Sequence, residues 1–222
     1  MSANPDIDAI LWDFGGVITT SPFEAFNRYE AERGLPRDFI RGVNATNPRD
    51  NAWARFESGS ITLAEFDTLF AEEATSLGHH VPGRDVIARL FGDVRPRMVE
   101  VLKACKAHYR IGCITNNMKP EDVPKEANWT EPGGQRAADV AAVMSLFDVV
   151  VESSVEGIRK PDPRIYGIAC ARMGVAADRA VFLDDLGINL KPAKEMGMRT
   201  IKVLNEAQAI ADLEEVTGLS FG

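Results

Sequence analysis

Three observations predict a doubly wound α/β fold with a parallel sheet. Short apolar runs recur along the chain, helix-patterned stretches separate most of them, and the first run halts at an acid followed by a glycine pair, Asp13-Phe14-Gly15-Gly16. Strands buried on both faces read as near-continuous apolar runs, and strand–helix alternation builds βαβ units. Such sheets bind ligands beyond the carboxyl ends of their strands, so strand-ending polar residues are where chemistry is expected.

The predicted strands are 9–12, 111–115, 149–151, 181–184 and 200–203. The helical patterns between and after them cover 96–108, 135–147, 163–173, 190–196 and 206–216, with proline near the start of several and Gly174 and Gly197 as stops. From Thr20 to Phe91 the rhythm changes: helical stretches at 22–32, 51–57 and 63–77 follow one another with no strand between them. Thr62-x-x-Glu65 ahead of Phe66, Leu69 and Phe70 is a capping-box signature for the last of these. The division expected is therefore a core of residues 1–19 and 92–222, with 20–91 as a helical insert over the catalytic edge. Lys119 to Gly134, rich in Pro, Gly and Glu, is expected to be irregular and mobile.

Composition narrows the function. The chain has 222 residues, 45% hydrophobic, and 33 acidic against 25 basic residues give a formal net charge of −8. Single cores stop growing at roughly 250 residues, so one domain, or one with an insert, is expected. Nucleic-acid and anionic-membrane binders need concentrated positive charge, which is lacking; a small molecule is the expected partner. Cys105, Cys113 and Cys170 are odd in number and form no CxxC pair, which reads as buried thiols in a reducing cytosol. His79, His80 and His108 have no zinc-ligand spacing. The first residues lack a basic region followed by an apolar one, and no run reaches eighteen apolar residues, so a cytoplasmic address is expected.

Four features end a predicted strand or open a helix: Asp13; Thr115-Asn116-Asn117; Lys160-Pro161-Asp162-Pro163; and Asp184-Asp185 with Asn189. Singly, each reads as a turn, a cap or a solvated charge. Their joint order resembles the haloacid dehalogenase superfamily of phosphatases, and within it the N-terminal phosphatase domain of soluble epoxide hydrolases. The resemblance runs over nearly the whole chain and is carried by FLDDLGINLKPAKEMGM at 182–198, LFDVVVESSVEGIRKPDPRIY at 146–166 and ITNN at 114–117. It implies a Rossmann-like three-layer α/β/α core with a C1-type helical cap, and Mg²⁺-dependent hydrolysis of a small phosphate monoester.

The chemistry follows from the residue types. A carboxylate nucleophile approaches an anionic phosphoryl group only if a cation neutralises both, and Mg²⁺ is the oxygen-seeking bridge. Asp13 would attack phosphorus and form an aspartyl-phosphate. Asp185, Asp13 and the Gly15 carbonyl would hold the ion, with Asp184 as an outer or alternative ligand, since two adjacent acids do not both stay ionised and unpaired in a dry site. Thr115 and the Asn116 backbone would donate to the phosphoryl oxygens and Lys160 would offset transition-state charge. The resemblance adds Asn189 as a residue that orients Lys160 or the metal site.

One position departs from the family pattern. The second acid of Asp-x-Asp, which protonates the leaving alcohol and later activates water, is Gly15 here. Three readings follow: a slow phosphatase that borrows an acid, a phosphatase for good leaving groups, or a catalytically weak or inactive binding protein. A 2-haloacid dehalogenase also lacks the second acid, but the Asp184-Asp185 pair would repel its anionic substrate.

Within the insert, Arg33, Arg37, Arg41, Arg49 and Arg55 stand against Asp38 and Asp50. The default reading is a solvated surface paired with neighbouring acids, and the alternative is steering of an anionic substrate. Trp53, Phe56 and Phe66 recur near helical spacing and read as the insert's core rather than as a substrate wall.

Overall fold

The structure, a computed structural model, describes residues 3–90, 92–118 and 135–222. The irregular loop expected at 119–134 lies outside the described residues. Five strands, β1 (Ala9–Trp12), β2 (Arg110–Thr115), β3 (Val149–Glu152), β4 (Ala180–Asp184) and β5 (Arg199–Lys202), form one sheet in the order β3-β2-β1-β4-β5. Every pairing is parallel. The predicted strands are all present, with ends within about one residue, the usual uncertainty of strand termini.

Strand β1 is central, and its four residues are wholly buried. Its side chains alternate between two cores, as the period of two requires. Ile10 and Trp12 join Leu102 of α6 (Pro96–Lys106) and Leu213 of α11 (Glu206–Thr217). Ala9 and Leu11 join Ile165 of α9 (Pro163–Met173) and Ala193 of α10 (Gly187–Glu195). Helix α7 (Gln135–Met144) adds Val140 and Val143 to the first of these cores and the short α8 (Ser153–Glu156) follows β3, so helices cover both sheet faces in a three-layer Rossmann-like architecture. The cysteines are buried and unbridged, and among the described residues no helix is long and apolar enough to cross a membrane.

Between β1 and α6 run α1 (Phe23–Arg33), α2 (Phe39–Ala45), α3 (Ala52–Glu57), α4 (Leu63–Ser76) and α5 (Gly83–Ile87). They bury a third cluster of their own, with Phe56 stacked on Phe66 at 4.7 Å between ring centroids. The Thr62/Glu65 capping box forms in both directions at the start of α4. The segments that enter and leave this layer run side by side: Thr19 pairs with Val94, and the Thr20 N–H donates to the Asp93 carbonyl at 2.9 Å.

Arg33 pairs with Asp85 at 3.1 Å, as the paired-surface reading expects, and Arg41 pairs with Asp38 at 3.2 Å. Helices α2 and α5 were not expected. Asp38 enters α2 in a left-handed conformation, and no side-chain bond from Asp38 caps the helix. The buried Glu30 carboxylate supplies the missing acceptors, taking the Asp38 N–H at 2.7 Å and the Ile40 N–H at 2.9 Å. Helix α10 starts at Gly187, three residues before the expected 190, because Pro192 reads as a breaker yet is carried inside it.

Candidate active site

The central strand delivers Asp13 to the carboxyl edge of the sheet, where its N–H donates to the Leu183 carbonyl at 2.8 Å. Asp13 as a whole is 7% exposed. Asp13 Oδ1 accepts from the Phe14 N–H at 2.7 Å and from Lys160 Nζ at 2.7 Å. Lys160 is 1% exposed and also donates to Asp184 Oδ2 at 2.7 Å, so one ammonium is shared by two carboxylates. Burial works against the Lys160 ammonium, but Asp13 and Asp184 outweigh it and raise its pKa above the ordinary lysine value. Burial raises the Asp13 pKa well above a normal carboxyl against the pull of Lys160, with Asp184 and Asp185 adding to the rise. Burial and then Asp184 push Asp185 up to about 6.

Asp184 is fully buried and its oxygens are occupied. Beyond Lys160, it accepts from Asn189 Nδ2 at 3.0 Å on both oxygens and from the Leu186 N–H at 2.8 Å. Asn189 thus orients Asp184, which in turn fixes Lys160. The Asn189 carbonyl accepts from the Tyr166 hydroxyl at 2.7 Å, so α9 braces α10 beneath the site. An oxygen from each of Asp13, Asp184 and Asp185 lies within 4.8 Å of the others, and among the described residues this is the group with metal-binding geometry.

Asn116 ties the second strand to the lysine loop. Its Oδ1 accepts from the Lys160 N–H at 2.9 Å and its Nδ2 donates to the Lys160 carbonyl at 3.1 Å. Thr115 ends β2 beside it, 8% exposed. Gly16 is left-handed with φ 77°, and a Cβ there would lie 2.3 Å from Asp185 Oδ2. Glycine is required at that position by conformation and by space. Gly15 differs, since a Cβ built on it meets nothing within 4 Å.

A cavity of about 990 Å³ opens above these groups. Asp13, Gly15, Thr115, Asn116, Lys160, Asp185 and Asn189 line its floor, which brings every predicted site residue together with Asp184 directly beneath. The helical layer supplies the other wall with Phe23, Phe26, Trp53, Phe56 and Ile87, so Trp53 and Phe56 face the cavity as well as packing in the insert's core. Arg41 and Arg49 also line it.

Three polar residues, Glu57, Arg159 and Ser153, escaped the sequence reading. Glu57, at the end of α3, accepts from Arg159 Nε at 2.7 Å and Arg159 Nη2 at 2.6 Å, and from Asn116 Nδ2 at 3.3 Å. Ser153 donates its hydroxyl to the Glu57 carbonyl at 2.5 Å. Adjacency of Arg159 to Lys160 was the available signal; nothing local marks Glu57.

An acid-tipped central strand, a doubly salt-bridged lysine and an acidic pair at one edge of a Rossmann-like sheet define a hydrolase site built around a carboxylate. The chain belongs to the haloacid dehalogenase-like hydrolases, whose family model matches residues 7–197. It is 32% identical over 225 residues to the bifunctional epoxide hydrolase 2 of Mus musculus, covering 95% of this chain and 39% of that protein. The chain therefore spans well under half the length of that relative. It is 37% identical over 212 residues to the glyceraldehyde 3-phosphate phosphatase of Methanocaldococcus jannaschii, covering 89% of this chain and 85% of that one. Among solved structures, a family enzyme of Bacteroides thetaiotaomicron in complex with magnesium and inorganic phosphate superposes with a TM-score of 0.57 at 22% identity, over 88% of this chain and 93% of that one.

Proposed function

We propose that this protein is a magnesium-dependent phosphatase that hydrolyses a phosphate ester carried on an apolar body, with Asp13 as nucleophile and the helices of 20–91 acting as its cap. The observation that carries the reading is the Asp13–Lys160–Asp184 triad, 2.7 Å at each link, under a cavity of about 990 Å³. Phosphatase relatives support the reaction, and the aromatic and aliphatic wall of Phe14, Phe23, Phe26, Trp53, Ile87 and Met144 supports the apolar body.

The clustered oxygens of Asp13, Asp184 and Asp185 are hard donors of the kind Mg²⁺ takes, so the residues fit that ion. With Asp184 occupied by Lys160 and Asn189, the residues that would hold it are Asp13, Asp185 and the Gly15 carbonyl. The ion would supply charge neutralisation between nucleophile and phosphoryl group. Lys160 orients the Asp13 carboxylate for in-line attack and offsets charge on the phosphoryl oxygens, while Thr115 and the Asn116 N–H donate to them.

Steady-state hydrolysis of p-nitrophenyl phosphate with Mg²⁺, with EDTA and with Asp13→Asn tests the proposal. Turnover that requires the metal and disappears in Asp13→Asn is expected. Wild-type rates in Asp13→Asn would place the chemistry elsewhere.

A further inference from the structure

We infer that the phosphoryl groups this site accepts are those whose leaving oxygen departs as a stable anion without taking a proton: acyl phosphates, phosphoric anhydrides and aryl or enol phosphates, in preference to alkyl phosphates. The inference rests on the phosphatase reading above and narrows its substrate class.

Position 15 bears no acid, yet a Cβ there meets nothing within 4 Å, so packing does not forbid a side chain. The space beside Asp13 is simply left open. Another group would therefore have to protonate an alkoxide, and among the described residues the titratable groups that line the cavity are either held by partners or, like Lys191 on α10, exposed to solvent. Among the described residues, no histidine, cysteine or tyrosine lines it. Glu57 is taken by two Arg159 nitrogens at 2.6 and 2.7 Å. Glu152 accepts from Asn117 Nδ2 at 2.7 Å. Asp185 belongs to the acidic cluster with Asp13, and Glu195 stands exposed at the end of α10. Lys160 is bound by two carboxylates at 2.7 Å each, an arrangement that stabilises charge rather than releasing a proton.

The reaction balances without that proton. An Asp13 carboxylate oxygen bonds to phosphorus as the bond from phosphorus to the leaving oxygen breaks. The electron pair stays on that oxygen, which departs as carboxylate, phosphate, phenolate or enolate. Water then bonds to phosphorus, the bond to Asp13 breaks to restore its carboxylate, and the water proton passes with the released phosphate to solvent. An alkoxide is far too basic to leave in this way, and a general acid that would assist it contributes roughly 10²–10⁴-fold.

A matched pair of probes isolates the leaving group from the apolar body: octanoyl phosphate and n-octyl phosphate, with phenyl and p-nitrophenyl phosphate between them. With Mg²⁺ and the full chain, kcat/KM for octanoyl phosphate should exceed that for octyl phosphate by at least roughly 10²-fold, and Gly15→Asp should narrow that ratio by a comparable factor. The wild-type series stands by itself should the variant fold poorly. Near-equal kcat/KM across the pair, or a steep ratio that folded Gly15→Asp leaves unmoved, would overturn the inference while the phosphatase reading survives. Absence both of turnover and of a phosphoryl adduct in the intact mass, with every probe, would overturn both.

Discussion

Lys160→Met removes the cation between two buried carboxylates and keeps a side chain of similar length in a site only 1% exposed. Asp13 would retain the Phe14 N–H, and Asp184 would retain Asn189 and the Leu186 N–H, but each would lose a 2.7 Å bond to an ammonium. Removing one partner of a buried pair strands the other charge, at a cost of about 3–5 kcal/mol. For a chain of this length that corresponds to a fall in Tm of roughly 6–20 °C. Urea denaturation and calorimetry in EDTA measure it, since a divalent ion would mask the loss. Adding Asp184→Asn to Lys160→Met should recover part of the loss, because one stranded anion is then neutral, whereas Asp184→Asn alone should destabilise. Such opposite signs are the mark of a coupled pair. Simple additivity of the two substitutions, or a Lys160→Met variant as stable as wild type, would show that the lysine does not compensate these acids.

Three further outcomes are expected. Glu57→Gln weakens a charge-assisted pair that is 15% and 22% exposed at its two ends, at a cost of about 1.5–3 kcal/mol; hydrogen exchange should quicken over 48–57 while the strands stay protected, and unchanged exchange there would show the contact to be idle. The cysteines should resist thiol reagents at pH 8 until the chain unfolds, because burial raises all three and pushes Cys105 up to about 12; fast reaction of a native thiol would contradict this. Burial works against the Asp148 carboxylate, but the Ile111 N–H and Lys106 overcome it and hold its pKa below the ordinary value. Its contribution is therefore present above the unfolded pKa and lost as pH falls through the lower folded one, so Asp148→Asn should flatten the acid limb of the stability profile.

The core was legible because its signals are local. Ala9 to Trp12 is apolar throughout since β1 is covered on both faces, and it stops at Asp13 where the sheet ends. The Lys160-Pro161-Asp162-Pro163 run marks both the buried lysine and the start of α9, with Asp162 as its cap. What stayed hidden depends on distant partners. Helix α2 is seven residues with a glycine inside, and its acceptors come from Glu30 in α1. Asp184 reads as an outer or alternative metal ligand beside Asp185, and only the fold shows its oxygens turned to Lys160 and Asn189. Spacing likewise gives no hint that Glu57 would meet Arg159, 102 residues away.

That last contact bears on how freely the two parts of the chain can be exchanged. Glu57 belongs to the helical layer, yet it grips Arg159 and Asn116, the immediate neighbours of Lys160 and Thr115. A chimaera that grafts another family member's helices onto this sheet would also replace one wall of the lysine's own seat. The graft would have to bring a carboxylate to the position of Glu57, or the recipient would inherit a new specificity together with a loosened centre. Modularity in this fold is thus bounded by contacts such as that of Glu57, which belongs to one unit by sequence and serves the other by contact.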